Sequence, residues 1–298
     1  MFSIDRLRAL SAVAAHGSIA YAARALHVTP SGVSQQLAKL EREAGHRLLE
    51  PDGRSVRLTH AGRVLLAHAD RVLAQLADAE NDLADLREEI LGPLRLGAVG
   101  SAIRTLLPGT LAALTRDHPR LVPTVRDGEA VDMLPLLQPG DLDLLVIESW
   151  SNRPIALPAG VAHQTLVREG ARVALAAEHP LAARESVDLA ELADEIWASC
   201  PPGTEPREAL VQALRARGAE PEVRYTVAEY TTQLALVEAG LTAALVPAMA
   251  YRPAPAGVRF VDCEPALERQ VLAAWRAGSR SPTIRACLAA LERHVLCC

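Results

Sequence analysis

Aromatic residues make up only 3% of this chain, although half of its residues are hydrophobic. Its cores must therefore be filled by Ala, Leu and Val. Lysine is scarcer still: Lys39 is the one lysine, a bias toward arginine from which no function follows. No Gly-x-Ser-x-Gly elbow, no phosphate-binding Gly-Lys-Ser/Thr loop and no Cys/His cluster with zinc spacing occurs, which removes the usual marks of a hydrolase, an NTPase or a zinc protein. His118, His163, His179 and His294 are scattered, so the expectation is no enzyme, no metal and no cofactor. No apolar run is long enough to span a membrane and no signal peptide is present, so a cytoplasmic protein without membrane contact is expected. The five cysteines, Cys200, Cys263, Cys287, Cys297 and Cys298, are an odd number and do not suggest structural disulfides in a reducing compartment. Low-complexity segments and internal repeats are absent as well, and 298 residues suffice for two to three domains.

What is present begins with residues 18–58. A short helix from about Ile19 to Leu26 turns Ala22, Ala23 and Leu26 inward, and small side chains there let a second helix cross closely. Thr29 offers a side-chain oxygen to free amides, and Pro30 occupies a first helical position where its missing N–H costs nothing. Counting about 100° per residue from Ser31, Val33, Leu37 and Leu40 share an inner arc, while Ser31, Ser34, Gln35, Ala38 and Arg42 share the outer one. This outer face, with Lys39 at its flank, has the composition of a major-groove reader. Gln35 is the first choice for adenine recognition, Ser31, Ser34 and Lys39 suit phosphate or adaptable contacts, and Gln36 lies at the edge. A polar stripe alone would be read as a solvated face, but the cap, the turn and the Ala-rich helix agree on a helix-turn-helix.

Gly45 can end the second helix, and Arg47 to Leu49 followed by Asp52 to Thr59 reads as two short strands around a tight turn, a wing with Arg54 at its tip and Arg57 beside it. Either arginine could reach phosphate or simply be solvated. The elements Ala22-Ala23-Arg24-Ala25-Leu26, Thr29-Pro30-Ser31-Gly32-Val33-Ser34-Gln35-Gln36-Leu37, Leu40-Glu41 with Gly45, and Leu58-Thr59 with Ala61-Gly62 together resemble the LysR-type transcriptional regulators. The family commonly has Phe and Arg entering the wing, where this chain has Leu49 and Pro51, so Arg47 or Arg54 would have to substitute.

Charge follows the same division. Up to Arg63 there are nine basic and five acidic side chains, within a chain whose net charge is −5, so the local field favours DNA. Between Gly62 and Gly92 there is no Gly or Pro, and Leu65, Ala69, Val72, Leu76, Ala79, Leu83, Leu86 and Ile90 form a heptad seam on one helix of about 45 Å. Such a seam favours a partner over packing on its own domain. The resemblance implies the same: a dimer or tetramer whose paired helices, through Leu65, Val72, Leu76, Leu83 and Leu86, space two winged helices for a two-fold promoter site.

After Gly92-Pro93 strands alternate with helices. Strands are expected at 94–99, 121–126, 141–147, 165–177, 196–199, 222–227, 243–246 and 270–275, and helices at 101–114, 130–137, 205–217, 230–239 and 281–295, a βαβ pattern of two α/β lobes enclosing a crevice. The expected domains are a winged helix-turn-helix at 1–60, a linker and dimerisation helix at 61–91, and an effector domain at 92–298, with lobe I at 92–160 and 266–298 and lobe II at 161–265. Ligands of such sheets bind beyond the carboxyl ends of strands, which puts Ser101, Ala102, Ser199, Cys200, Thr231 and Thr232 at the crevice. Helix amides with hydroxyls suit an anion, often a carboxylate, whereas each hydroxyl taken singly could be only an N-cap. Glu148 at a strand end would repel an anion or recruit an amine. The resemblance implies an effector site built like that of periplasmic solute-binding proteins. It also includes peroxide sensors with two close cysteines in the second lobe, but Cys200 has no near neighbour in sequence and burial is the better reading for it and for Cys263. The expectation is thus a DNA-binding regulator controlled by a small molecule that shifts the population of lobe arrangements and thereby alters promoter bending or contact with RNA polymerase. A redox- or ligand-independent regulator of the same fold and a plain solute-binding protein are the alternatives.

Overall fold

The computed structural model describes residues 2–52, 55–85, 90–251 and 253–295. Arg54, Leu86, Cys297 and Cys298 lie outside the described residues. The chain divides into two compact units, one reaching Leu83 and the other comprising Ala84–Leu137 and Asp141–Cys298.

In the first unit α1 (Ile4–His16), α2 (Ile19–Ala25) and α3 (Pro30–Ala44) precede a hairpin of β1 (Leu49–Asp52) and β2 (Ser55–Leu58), and α4 (His60–Asp85) follows. Leu7, Leu10 and Val13 of α1 recur every third residue, and they close a core with Ala22, Ala23, Val33, Leu37, Leu40 and Leu48. The Thr29 hydroxyl accepts from the Gly32 amide at 3.1 Å and Pro30 opens α3, as the cap-and-proline pattern requires. Gly45 ends the helix with φ 69°, a left-handed conformation that glycine adopts without steric cost. The Glu41 carboxylate then accepts from the amides of Leu48 and Leu49 at 2.8 and 3.2 Å, fixing the entry to the hairpin. Thr59 caps α4 by accepting from the Gly62 amide at 3.0 Å while donating to the Arg47 carbonyl at 2.7 Å. A Cβ at Gly62 would collide with the Leu48 carbonyl, which explains glycine there.

The second unit contains β3 (Gly92–Ala98), α5 (Gly100–Thr105), α6 (Leu107–Asp117), β4 (Leu121–Asp127), α7 (Ala130–Met133), β5 (Leu144–Trp150), β6 (Val161–Ala176), β7 (Ser186–Asp188), β8 (Ile196–Ser199), α8 (Glu205–Arg215), β9 (Glu222–Thr226), α9 (Tyr230–Glu238), β10 (Ala243–Pro247), β11 (Val258–Arg276) and α10 (Pro282–Val295). Nine strands form one sheet in the order β4-β3-β5-β11-β6-β10-β8-β9, with β7 on β11. Parallel β3, β4 and β5 make lobe I, and parallel β8, β9 and β10 make lobe II. The antiparallel pair β6 and β11 runs through both. Alternate residues of β5 show why a continuous apolar strand is needed: Leu144 and Val146 pack with Leu96 and Leu291, Leu145 and Ile147 with Met133 and Leu272.

The expected helix over residues 101–114 is broken at Leu106. Pro108 has no N–H for the Arg104 carbonyl and its ring crowds that group, so the chain restarts as α6. The strand expected at 270–275 is the last third of β11, whose polar Asp262 to Pro265 stretch carries a register shift instead of a turn. Val161, Leu166 and Val167 pack into lobe I clusters, so the crossing between lobes falls inside β6. Within α4, Leu65 and Ala69 pack on their own domain, and Ile90 is no part of the helix but packs in lobe I.

Candidate functional site: a groove-reading helix and a charged crevice

On α3 the division into faces is complete. Val33, Leu37 and Leu40 are buried, while Ser31, Ser34, Gln35, Ala38 and Lys39 are exposed. Ser34 donates to the Pro30 carbonyl at 3.0 Å, and the Thr29 and Ser31 hydroxyls lie 3.1 Å apart. These short hydroxyls organise the first turn, whereas Gln35 and Lys39 extend from it. Gln36 is half-buried and borders a hollow of about 430 Å³ with Asp5, Arg8 and Val28, so it faces α1 more than the outer surface. On the hairpin, Arg57 is ion-paired with Glu50 at 3.1 Å and stays exposed. Farther along α4, Val72 and Leu83 are 45% and 65% exposed, and Leu76 is half-buried.

The crevice of the second unit centres on a residue that sequence reasoning passed over. Arg269 stands in the middle of β11, paired directly with Glu169 on β6 and with Trp150 on β5, two residues along from Glu148. It is 0% exposed. Its Nη1 donates to Glu148 Oε2 and to Ser101 Oγ, both at 2.8 Å, and its Nε donates to Glu169 Oε1 at 2.7 Å. Burial works against the guanidinium, but the two carboxylates outweigh it and raise its pKa above the ordinary arginine value. Burial likewise raises the Glu148 carboxyl, against the pull of Arg269. Glu169 Oε2 accepts from the Met249 amide at 2.6 Å, which carries the network into the 3-10 turn Ala248–Tyr251 of lobe II.

A second bridge is made by Arg104 of α5. Its guanidinium donates to Glu229 Oε1 at 2.7 Å, to Thr231 Oγ1 at 3.2 Å and to the Ala250 carbonyl at 2.9 Å. Glu229 is also the cap of α9, its Oε2 accepting from the Thr232 amide at 2.8 Å and the Thr232 hydroxyl at 3.3 Å. Burial opposes its charge, but these hydrogen bonds and Arg104 hold the carboxyl below its usual range. The expected anion cradle at Thr231 and Thr232 is therefore occupied by the chain's own carboxylate. Negative charge already sits where the helix amides favour it.

The structure thus brings Ser101 and Glu148 together through Arg269, and places Thr231 and Thr232 on the Arg104 bridge. Ala102 points into the lobe I core, and Ser199 is buried at the end of β8 with its carbonyl accepting from Val227. Cys200 packs with Tyr230 and Leu234; its Sγ donates to the Ala228 carbonyl at 3.4 Å and accepts from Gln233 Nε2 at 3.6 Å. Burial, then Glu148 and Glu129, push its thiol far above the normal range. Arg269, Glu169, Arg104 and Glu229 were missed. Arg269 lies between Glu268 and Gln270, a polar triplet that reads as an ordinary solvated stretch and carries no signal of its role.

A winged helix-turn-helix followed by a long helix and a two-lobed α/β unit defines the class as a bacterial transcriptional regulator of modular build. The family comparisons agree. Residues 4–63 match "Bacterial regulatory helix-turn-helix protein, lysR family", and residues 87–296 match "LysR substrate binding domain". The chain belongs to the LysR family of DNA-binding transcriptional regulators, whose second domain receives a small-molecule effector. It is 32% identical over 249 residues to the regulator YnfL of Escherichia coli (strain K12), covering 82% of each chain. Identity to the transcriptional dual regulator OxyR of the same organism is 29% over 282 residues, covering 93% of this chain and 90% of that one. Among solved structures, full-length OxyR from Pseudomonas aeruginosa shares the fold with a TM-score of 0.71 at 24% identity, covering 100% of this chain and 99% of that one. No helix among the described residues is long and apolar enough to cross a membrane.

Proposed function

We propose that this protein binds two-fold symmetric promoter DNA as a dimer or tetramer, reads bases with Gln35, and is switched by a small molecule held between the lobes near Arg269. The observation that carries the DNA part is the two-faced α3, with Ser31, Ser34, Gln35 and Lys39 outward over a fully packed inner face. Lys39 contributes phosphate contacts and Ser31 and Ser34 complete the first turn against the groove, with Thr29 and Pro30 as its cap. Exposed Val72 and Leu83 on α4 supply apolar surface for a second copy. Arg104 of α5 ties lobe I to Glu229 and Thr231 of lobe II, so an occupant that alters this contact biases the lobe arrangement. Contact with RNA polymerase belongs to the same reading. Peroxide sensing finds no support in Cys200, which is buried with a raised pKa and packs in a different core cluster from Cys263.

The test is to incubate the purified protein with fragmented DNA of its own genome and sequence the bound pieces, in parallel with Gln35→Ala. Wild type enriches a few promoter sites of two-fold symmetry and the variant loses that selectivity. Equal enrichment by both proteins would remove Gln35 from base reading.

A further inference from the structure

Once Arg269 and Arg104 have found their carboxylates, the buried oxygens left without a partner in the crevice include two from carboxylates. Glu129, just before α7 in lobe I, and Glu205, at the head of α8 in lobe II, each keep a buried Oε2 without a hydrogen-bond partner among the described residues. The hydroxyl of Tyr230 is also buried and unpartnered, on a side chain only 6% exposed. It lies in the field of Glu148, Cys200, Arg269 and Glu129, which places it in the same crevice. Glu129 itself faces Glu148 on β5, Glu205 on α8, Asp127 on β4 and Asp132 on α7, and none of its strongest electrostatic neighbours is a cation. Glu205 is raised by burial and by Glu148 and Glu208, against the pull of Arg153, so two lobes present carboxylates toward a shared space in which Arg153 offsets the charge on the lobe II side alone.

We propose that the crevice effector carries a protonated amine, an ammonium or guanidinium group, held by Glu129 from lobe I and Glu205 from lobe II with the Tyr230 hydroxyl beside it. This deepens the effector-controlled reading above and rests on it. A group with several N–H donors and a positive charge satisfies all three unpartnered oxygens and relieves the repulsion between the lobes, which drives closure. A metal ion is the less suitable occupant, since no cluster of three or more metal-ligating side chains occurs among the described residues. Arg207, whose Nη1 is buried and unpaired near Cys200, accommodates a carboxylate on the same molecule, as in an amino acid.

The arrangement makes binding a proton-release reaction. Burial first, then the surrounding carboxylates, push Glu129 up to about 8, so roughly nine-tenths of it is protonated at pH 7. An ammonium beside it restores the ionised form and expels the proton to buffer. A carboxylate ligand would do the reverse or leave protonation unchanged.

The experiment screens the full-length protein by thermal unfolding with the standard amino acids, linear diamines and agmatine, each beside an analogue lacking the amine. Hits are titrated calorimetrically at pH 7 in phosphate and in Tris, whose ionisation enthalpies differ. The expected result is an amine that binds at least tenfold tighter than its deaminated analogue and releases between half and one proton. Glu129→Gln abolishes the release, and Glu205→Gln and Tyr230→Phe, each confirmed folded by its melting curve, weaken binding. Tighter binding of the deaminated acid, proton uptake, an affinity indifferent to all three substitutions, or no binding by any amine would each overturn the proposal. An acid that binds and alters operator affinity overturns the amine class while the effector-controlled reading stands. An amine that binds with proton release yet leaves operator affinity and footprint unchanged does the opposite.

Discussion

His27 is the one non-glycine residue among those described with positive φ, 54°, and it sits in the turn between α2 and α3. Left-handed backbone is strained for a side chain with a Cβ, so His27→Gly should stabilise the first unit by about 0.5–1 kcal/mol, read as a raised urea midpoint. Gln35→Ala should cost about 1–3 kcal/mol on the preferred operator and little on random DNA, whereas Lys39→Ala should weaken both and reduce the salt slope by about one. Arg269→Met leaves Glu148 and Glu169 buried without their cation, and should destabilise the second unit by about 3–5 kcal/mol in denaturant unfolding at pH 7. The residues of α3 were legible because a cap, a proline and a 3.6-residue period act locally. Arg269, Glu169 and Arg104 were not, since each acquires its role from strand register or from a partner more than a hundred positions away.

The elements differ in the same way. The faces of α3 and the hairpin pairing of Leu49 with Leu58 follow from short-range pattern and turn chemistry. α1 carries such a pattern too, with Ser3 before it and Gly17 after it in the left-handed conformation. α9 shows why a helix start alone misleads: Thr231 and Thr232 suggest free amides and hydroxyls, but the preceding Glu229 fills the cap and binds Arg104. On α4 the heptad seam divides into an inner part held by its own domain and an outer part that is exposed. Leu83→Glu should therefore weaken self-association, measured by sedimentation velocity, while the melting transition of the DNA-binding unit stays in place.

At the scale of the whole molecule, the two-lobed plan was readable from alternating strands and helices, but the sign of the crevice was not. That sign is set by which charges pair across β5, β6 and β11 and which are left over. Glu129 has a folded-state pKa raised to about 8, so its contribution to stability is full below the ordinary glutamate pKa and is lost as pH rises through 8. Between pH 5 and 8 the second unit of Glu129→Gln should lose less stability than wild type, as read from urea midpoints against pH. If the crevice controls DNA binding, the affinity and footprint of the full-length protein on its recovered operator change with a saturating amount of the compound that most raises its melting temperature. A change in footprint length or at least a fivefold change in affinity, absent in Arg104→Ala because the bridge between lobes is gone, is the predicted result. Binding of the compound in the crevice with affinity, footprint and transcription all unchanged would contradict it.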